Sequence, residues 1–188
     1  MDLAGAASLF KVTGTTGTVT VNAGSTPKAR LDAASGQDVD VTGTLVLDKL
    51  SNVGTVSAWV SARTGGSWTS EYALNAKVTQ TGAVSVQLLR RLSSGETTLA
   101  TATLTGVTYA PGTQLKFHLQ AVGSGTTTIR GNVWTGATEP ATWRLTATDT
   151  TAELQDAGGV GLGQYVAAST TNGPVLFTWD DLKSVGVE

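Results

Sequence analysis

Apolar and polar residues alternate along most of the chain, so that every second side chain points to the same side. The clearest segments are residues 37–48, 56–63, 71–78 and 114–122. A period of two is typical of half-buried antiparallel strands. The pattern therefore predicts strands from about Gln37 to Val185, whose core-facing residues are Val39, Val41, Gly43, Leu45, Leu47, Val56, Ala58, Val60, Ala62, Tyr72, Leu74, Ala76, Val78, Leu115, Phe117 and Leu119.

Short turn signals rich in glycine separate these segments, for example "TGGS" at 64–67 and "APG" at 110–112. Their spacing predicts about a dozen strands in an all-β, two-sheet antiparallel β-sandwich. Residues 150–155 ("TTAELQ") are the one candidate for a helical turn. We expect a single domain over 1–188, in which 1–12 forms an N-terminal arm or an edge strand.

Composition narrows the classes of function. The chain has 12 basic and 14 acidic residues and a net charge of -2, too balanced for nucleic-acid binding or electrostatic docking to a membrane. It has no cysteine, which excludes disulfides and thiolate metal sites. Only 14% of residues are charged, a composition common outside the cytoplasm. The start "MDLAGAASLF" has no signal-peptide pattern, so we expect either a mature fragment with an added Met or a protein released by other means, such as phage lysis.

The residues that carry chemistry do not form a catalytic pattern. His118 is the only histidine and lies in the middle of a predicted strand, with no nucleophile or metal motif nearby. Glycan cleavage needs two facing carboxylates, and Asp38 and Asp40 are better explained as a solvated strand face. The sequence therefore predicts no enzymatic activity and no catalytic residue.

Asp180 and Asp181 are the best candidates for a metal ion, because calcium prefers oxygen ligands. Adjacent strand residues point to opposite faces, so both cannot easily serve one ion. We predict no cofactor and no metal site, with calcium as the open alternative.

Tryptophans on polar strand faces suggest a ligand surface. Trp59 shares its predicted face with Arg63, and Trp134 shares its face with Arg130 and Asn132. Trp68 stands beside a glycine turn and is the tryptophan expected to be exposed. An aromatic ring among hydrogen-bonding side chains suits a sugar. If the strands belong to one sheet, the predicted ligand-binding face consists of Trp59, Arg63, Asn75, Lys77, Gln87, His118, Arg130, Asn132 and Trp134.

The segment "NVWTGATEPATW" allows two interpretations of its tryptophans. Trp134 and Trp143 either contribute to a binding platform or form a cross-strand aromatic pair that closes a hairpin. We favour the pair, because Pro140 stiffens the loop and Trp143 alternates with Leu145 and Ala147, which predicts an inward side chain.

From Thr101 onward the motifs "G-x-x-Y-x-x-G-T", "R-x-x-V-W", "E-P-x-x-W", "G-x-V-G-L" and "F-x-W-D-D" occur in order. With them the chain resembles the concanavalin A-like, laminin G-like jelly-roll modules of bacterial secreted proteins and phage particle proteins, from about Asp38 to Val187. The resemblance implies a jelly roll whose last strand pairs near the N-terminal one, and a function in glycan binding, adhesion or structure. Such modules usually begin with an aromatic, acidic strand. The chain departs from them at its N-terminus, where "SLFKVTGTTGTVTV" follows Met1 almost at once.

These observations favour a non-enzymatic sandwich on the surface of a phage virion, as a capsid decoration or tail protein with glycan binding. Its expected partners are other virion proteins, copies of itself and surface glycans, with "SLFKV" and "GTVTV" as candidate edge strands. The alternative is an extracellular carbohydrate-binding module appended to a bacterial polysaccharide-degrading enzyme. A glycan hydrolase is the third and least favoured reading, for lack of carboxylates.

Overall fold

The computed structural model describes residues 1–187, which form two antiparallel sheets of seven strands each. The first sheet contains β1 (Asp2–Ala4), β4 (Lys28–Gly36), β13 (Gly158–Val166), β6 (Thr55–Thr64), β7 (Ser70–Thr79), β8 (Ala83–Leu92) and β9 (Gly95–Thr108), in that spatial order. The second sheet contains β12 (Leu145–Asp149), β11 (Thr127–Trp134), β10 (Leu115–Val122), β5 (Val39–Leu47), β14 (Val175–Gly186), β3 (Thr16–Val21) and β2 (Phe10–Thr13). The all-β, two-sheet prediction is confirmed.

The apolar sides of the strands meet between the two sheets. The core-facing side chains predicted on the strands from Val39 to Leu119 are buried, and Val41, Leu47, Val60, Leu74 and Phe117 are fully so. The sandwich forms because each sheet has one apolar face, and the two faces leave water only by packing together.

Turn glycines fix the strand connections where another residue would not fit. Gly82, between β7 and β8, has a φ of 80°, and a Cβ there would lie 2.3 Å from the carbonyl oxygen of Tyr109. Only glycine meets both requirements. Tyr109 also anchors its own segment, because its hydroxyl accepts a hydrogen bond of 2.9 Å from the backbone N–H of Leu47.

The N-terminal residues supply edge strands to both sheets. β1 is an edge of the first sheet, and β2, which overlaps "SLFKV", is an edge of the second. "GTVTV" lies in β3, which pairs with β2 and β14 on its two sides, so its prediction as an edge strand is wrong. The last strand, β14, pairs with β3 as the resemblance implied.

The helical content of residues 1–187 is three 3-10 turns, at Ala7–Leu9, Gly66–Trp68 and Ala152–Leu154. The last coincides with the turn predicted within 150–155. In the same part of the chain, no helix has the length and apolar character needed to cross a membrane.

Candidate functional site

A polar cleft of about 340 Å³ opens on the outer face of the first sheet. We call it the Trp59 cleft. Strands β4, β6, β7, β8, β9 and β13 and the segment before β4 line it on the face opposite the core. Its lining residues are Thr26, Lys28, Thr55, Ser57, Trp59, Asn75, Lys77, Arg91, Glu96 and Tyr165. Its volume lies within the range of small-ligand sites, about 300–1,000 Å³.

Trp59 forms the floor of the cleft, and a glycine makes room for it. Gly163 on β13 lies opposite Trp59 in the pairing with β6, and a Cβ at Gly163 would lie 2.1 Å from the indole Cζ2. The Arg91 guanidinium lies 4.2 Å from the ring centroid, and the Lys28 ammonium lies 5.8 Å away. The ring is therefore only 3% exposed, and it supports the two cations instead of offering an open stacking surface.

A layer of ion pairs covers this floor. Glu71 Oε1 lies 3.0 Å from Arg91 Nη1 and 3.8 Å from the Lys28 ammonium. Arg91 also donates through Nε to Glu96 Oε2, at 2.7 Å. Glu71 is 2% exposed, and burial of a carboxylate is tolerated here because two cations compensate its charge.

Several buried polar atoms at this face have no hydrogen-bond partner among residues 1–187. They are Trp59 Nε1, Asn75 Oδ1 and Glu71 Oε2. Trp68 Nε1, in the neighbouring turn, is a fourth such atom. The other side of the Asn75 amide is used, because its Nδ2 donates to Gln87 Oε1 at 3.3 Å. Buried polar groups are normally paired, so a donor and two acceptors left over in one cleft indicate a place for a ligand or water.

The turn between β6 and β7 extends this surface beyond the cleft. Ser67 and Trp68 both have positive φ, 55° and 60°, which is unusual for residues other than glycine. The Trp68 ring lies 5.2 Å from the Lys28 ammonium, so Lys28 contacts both tryptophans. Trp68, the tryptophan predicted likeliest to be exposed, is partly buried against the β13 backbone beside Gly161.

The predicted ligand face does not lie on one sheet. Trp59, Arg63, Asn75, Lys77 and Gln87 belong to the first sheet, whereas His118, Arg130, Asn132 and Trp134 belong to the second. The assumption of one continuous face is therefore wrong, because strand parity tells which side of its sheet a residue occupies but not which sheet it is in. Of the nine residues, Trp59, Asn75 and Lys77 line the Trp59 cleft, and Gln87 contacts it through Asn75.

Arg63 was predicted to point outward with Trp59, and this is wrong. Its φ of 50° turns the end of β6, and its side chain runs between the sheets at 2% exposure. The guanidinium donates to Gln37 O, Leu154 O and Gly123 O, and to the Thr127 hydroxyl. Burial lowers the pKa of Arg63, while Tyr72 and Asp38 act in the opposite direction. Arg63 is a buried cross-link, not a ligand-binding residue.

On the second sheet the predicted residues bind one another. His118 Nε2 lies 2.6 Å from Asp40 Oδ1, and Nδ1 lies 2.8 Å from Glu139 Oε1. Asn132 donates to Glu139 at 3.0 Å and accepts from the backbone N–H of Arg144 at 2.8 Å. Arg130 donates to Gln120 Oε1 at 3.1 Å. The bonds to Glu139 and Arg144 fasten residues 135–144, the connection from β11 to β12, onto the sheet.

Trp143 lies on the outside of the second sheet, against our prediction. Its ring packs on His118, with centroids 4.6 Å apart, in the connection that precedes β12. The favoured pair of Trp134 with Trp143 is also wrong, because β11 and β12 pair only from Gly131 and Leu145 onward, away from both rings. Trp143 therefore pairs with His118 and not with Trp134.

The alternation missed important members of the cleft: Lys28, Glu71, Arg91 and Tyr165. Glu71 shares the parity of Asn75 and Lys77, and Arg91 shares that of Gln87, so the signal was in the sequence. It was hidden because Ala73 and Leu89 occupy the same face and pack around Trp59 in a small second cluster. Lys28 comes from β4, whose alternation is weak.

Two other places bear on earlier expectations. A largely apolar cleft of about 540 Å³ lies between the sheets beside β1 and β2, lined among others by Leu3, Phe10, Val12 and Leu182.

At the calcium candidate, Asp181 is exposed and Asp180 Oδ1 accepts the Asp181 N–H at 2.9 Å. Within residues 1–187, no group of three or more acidic, histidine or cysteine side chains is placed to hold a metal ion.

Comparisons with known proteins support the fold. No protein-family model matches the sequence, and no curated protein matches it significantly. Three solved structures that share the fold are a carbohydrate-binding module CBM66 from Bacillus subtilis, a β-glucanase from Bacillus licheniformis, and the CBM2 module of the evolved Dit of Lactobacillus casei BL23 phage J-1.

The TM-scores of these three are 0.57, 0.63 and 0.55, at identities of 12%, 10% and 8%. The alignments cover 89%, 97% and 95% of this chain, and 94%, 84% and 80% of the other chains. The chain therefore has the concanavalin A-like jelly-roll fold, and at these identities the likeness shows the fold alone.

Proposed function

We propose that this chain is a non-catalytic glycan-binding module and that the Trp59 cleft is its binding site. The observation that carries the proposal is the set of unpartnered atoms, Trp59 Nε1, Asn75 Oδ1 and Glu71 Oε2. A hydroxyl is both a donor and an acceptor, so a polyhydroxylated ligand has groups suited to one donor and two acceptors. The carbohydrate-binding modules that share this fold support the same class of ligand.

The cleft binds without cleaving. Its two carboxylates, Glu71 and Glu96, are both hydrogen-bonded to the single guanidinium of Arg91. Glycoside hydrolysis needs one carboxyl group to donate a proton and another to act on the opposite side of the bond. Two carboxylates that share a cation between them are arranged to position Arg91 instead.

The experiment is retention of the full chain on a panel of polysaccharides in affinity electrophoresis. Asn75→Ala removes an unpartnered acceptor from the cleft and should abolish or strongly weaken retention. Asn132→Ala is the matched control on the second sheet and should leave retention unchanged. If no polysaccharide retards the chain, or if both variants lose retention equally, the Trp59 cleft is not the site.

Our finer proposal is that the module is displayed on a phage virion, with other virion proteins or its own copies as partners. The charge-poor composition and the shared fold with a phage module support it. So does edge strand β2, where Val12 is 81% exposed beside the apolar cleft. The second candidate, a secreted module attached to a polysaccharide-degrading enzyme, draws support from the likeness to the Bacillus subtilis module. Mass spectrometry of purified particles and of culture fluid separates the two, because each predicts the chain in a different fraction.

A further inference from the structure

The mouth of the Trp59 cleft is positively charged, although the chain as a whole is acidic. Its charged lining residues are Lys28, Lys77, Arg91 and Glu96, and the buried Glu71 pairs with Lys28 and Arg91 beneath them, so three cations face two anions. The chain carries 12 basic and 14 acidic residues, so this surface departs from the average of the molecule. An excess of one sign in a cleft raises the local concentration of ligands of the other sign.

The ion pairs leave one of these cations available. Glu71 and Glu96 hold Arg91, and Glu71 also lies near Lys28. In the register of β7 with its two neighbours, Lys77 lies between Ser57 and Ser85, neither of which is acidic. Among residues 1–187, no carboxylate lies within ion-pair distance of the Lys77 ammonium.

We propose that the Trp59 cleft selects acidic glycans, in which a carboxylate or sulfate group on the sugar binds Lys77. This inference rests on the proposed function. The deep acceptors Asn75 Oδ1 and Glu71 Oε2 require donors, which sugar hydroxyls supply, while the free ammonium at the mouth requires an anion. A neutral sugar satisfies the floor and leaves Lys77 unused. A free inorganic anion satisfies Lys77 and leaves the floor unused.

The test measures binding of the full chain to matched pairs of polymers that differ only in charge. Dextran is compared with dextran sulfate, and polygalacturonate with its methyl ester, so that the sulfate and carboxylate sources are separated. At least one acidic member should bind about tenfold more tightly than its neutral partner at physiological salt, the scale of one well-placed charge interaction.

The variants are Lys77→Gln and, as control, Lys116→Gln on the second sheet. Lys77→Gln should lower affinity for the acidic polymer about tenfold and leave the neutral one unchanged. Equal binding of acidic and neutral polymers overturns the acidic preference and leaves the glycan proposal standing, whereas no binding to any polymer overturns both. An equal loss in Lys116→Gln shows general charge attraction and also overturns the preference.

Discussion

The outer faces of the two sheets contain similar residues but use them differently. On the second sheet, both ring nitrogens of His118 and both sides of the Asn132 amide are hydrogen-bonded within the protein. On the first sheet, Trp59, Glu71 and Asn75 each keep one buried atom without a partner among residues 1–187, whereas on the second sheet this holds for Trp134 Nε1. The comparison teaches that outward direction alone does not mark a binding residue. A concentration of buried polar atoms without partners is the feature on which the proposed site rests.

The cause of the difference is what lies over each sheet. Residues 135–144 fold back on the second sheet and bring Glu139, the Pro140 carbonyl and the Arg144 N–H to its polar side chains. On the first sheet, β13 presents glycines at 159, 161 and 163 toward the same side as Trp59, so no side chain there supplies partners. One face is closed by a loop and the other is left open by missing side chains.

Replacing Trp59 and Trp134 separately should give the largest difference between the two faces, in both stability and glycan retention. Trp59 is 3% exposed in a cluster with Ala73 and Leu89, so Trp59→Ala should lower the free energy of unfolding by about 3 kcal/mol and abolish glycan retention. Trp134 is only partly buried, so Trp134→Ala should cost less and leave retention intact. Urea denaturation measures the first quantity and affinity electrophoresis the second.

Trp59 was predicted only as a ligand-binding residue, and its burial makes it part of the packing as well. Trp59→Phe serves as the milder variant, because it keeps an aromatic ring on the floor while removing the Nε1 donor. It should remain folded and bind more weakly. Folded Trp59→Phe with full affinity would show that Nε1 is not used by the ligand.

Filling the space above Trp59 should have the next largest effect. A Cβ at Gly163 would lie 2.1 Å from the Trp59 ring, so Gly163→Ala should displace the ring and cost about 2 kcal/mol, within the range for overpacking. Gly17→Ala is a suitable control, because its Cβ would lie no nearer than 4.0 Å to another residue. Thermal unfolding and Trp fluorescence of both variants test this. A Gly163→Ala protein as stable as Gly17→Ala would contradict the tight packing of the floor.

The strands and their inward faces were predictable because both depend on local alternation. Apart from Trp143, the apolar residues assigned to core faces from Val39 to Leu119 are buried there, and the turn glycines separate the strands as expected. Sheet membership was not predictable, since residues such as Asn75 and His118 obey the same alternation on opposite sheets. Arg63 and Trp143 were misassigned for a related reason. Each lies where a strand ends, and there backbone direction, not parity, sets the side chain.

The candidate site was only partly predictable. Trp59, Asn75 and Lys77 follow from polar positions on strands, and they do line the cleft. Glu71 and Arg91 have the same parity as Asn75, but nothing in the sequence shows that they pair across β7 and β8. Lys28 joins them from a strand more than 40 residues away, through long-range pairing that alternation does not report.

Lowering the pH should weaken the contact of Asp149 on β12 with the first sheet more than any contact on the outer faces. Asp149 on β12 accepts from the Tyr72 hydroxyl on β7 at 2.8 Å and pairs with Arg90 on β8 at 2.9 Å. Burial alone would raise the pKa of Asp149, but hydrogen bonds from Tyr72, Thr151 and Arg90 together lower it below the ordinary value. A lowered folded pKa means that this stabilisation is present above about pH 4, where unfolded Asp is ionised, and is lost as pH falls through the folded pKa.

Asp149→Asn should therefore reduce stability at neutral pH by about 1.5 kcal/mol, the scale of a hydrogen bond to a charged group. It should also flatten the decline in stability between pH 5 and pH 3, in roughly the range where an Asp carboxylate gains its proton. Urea midpoints across that range, for both proteins, make the measurement. Parallel declines in the two proteins would show that other carboxylates govern the acid response.

The smallest expected effect concerns the closed face. The two ring nitrogens of His118 lie within hydrogen-bonding distance of Asp40 on β5 and of Glu139, so His118 links residues 135–144 to the sheet. His118→Ala removes both bonds and the packing with Trp143. Because Asp40 and Glu139 keep some solvent contact, the cost should be only about 1 kcal/mol. Amide hydrogen exchange should become faster in residues 135–144 and stay unchanged in β6 and β7, with glycan retention intact. Loss of retention in this variant would mean that the closed face takes part in binding and that the contrast between the two faces does not hold.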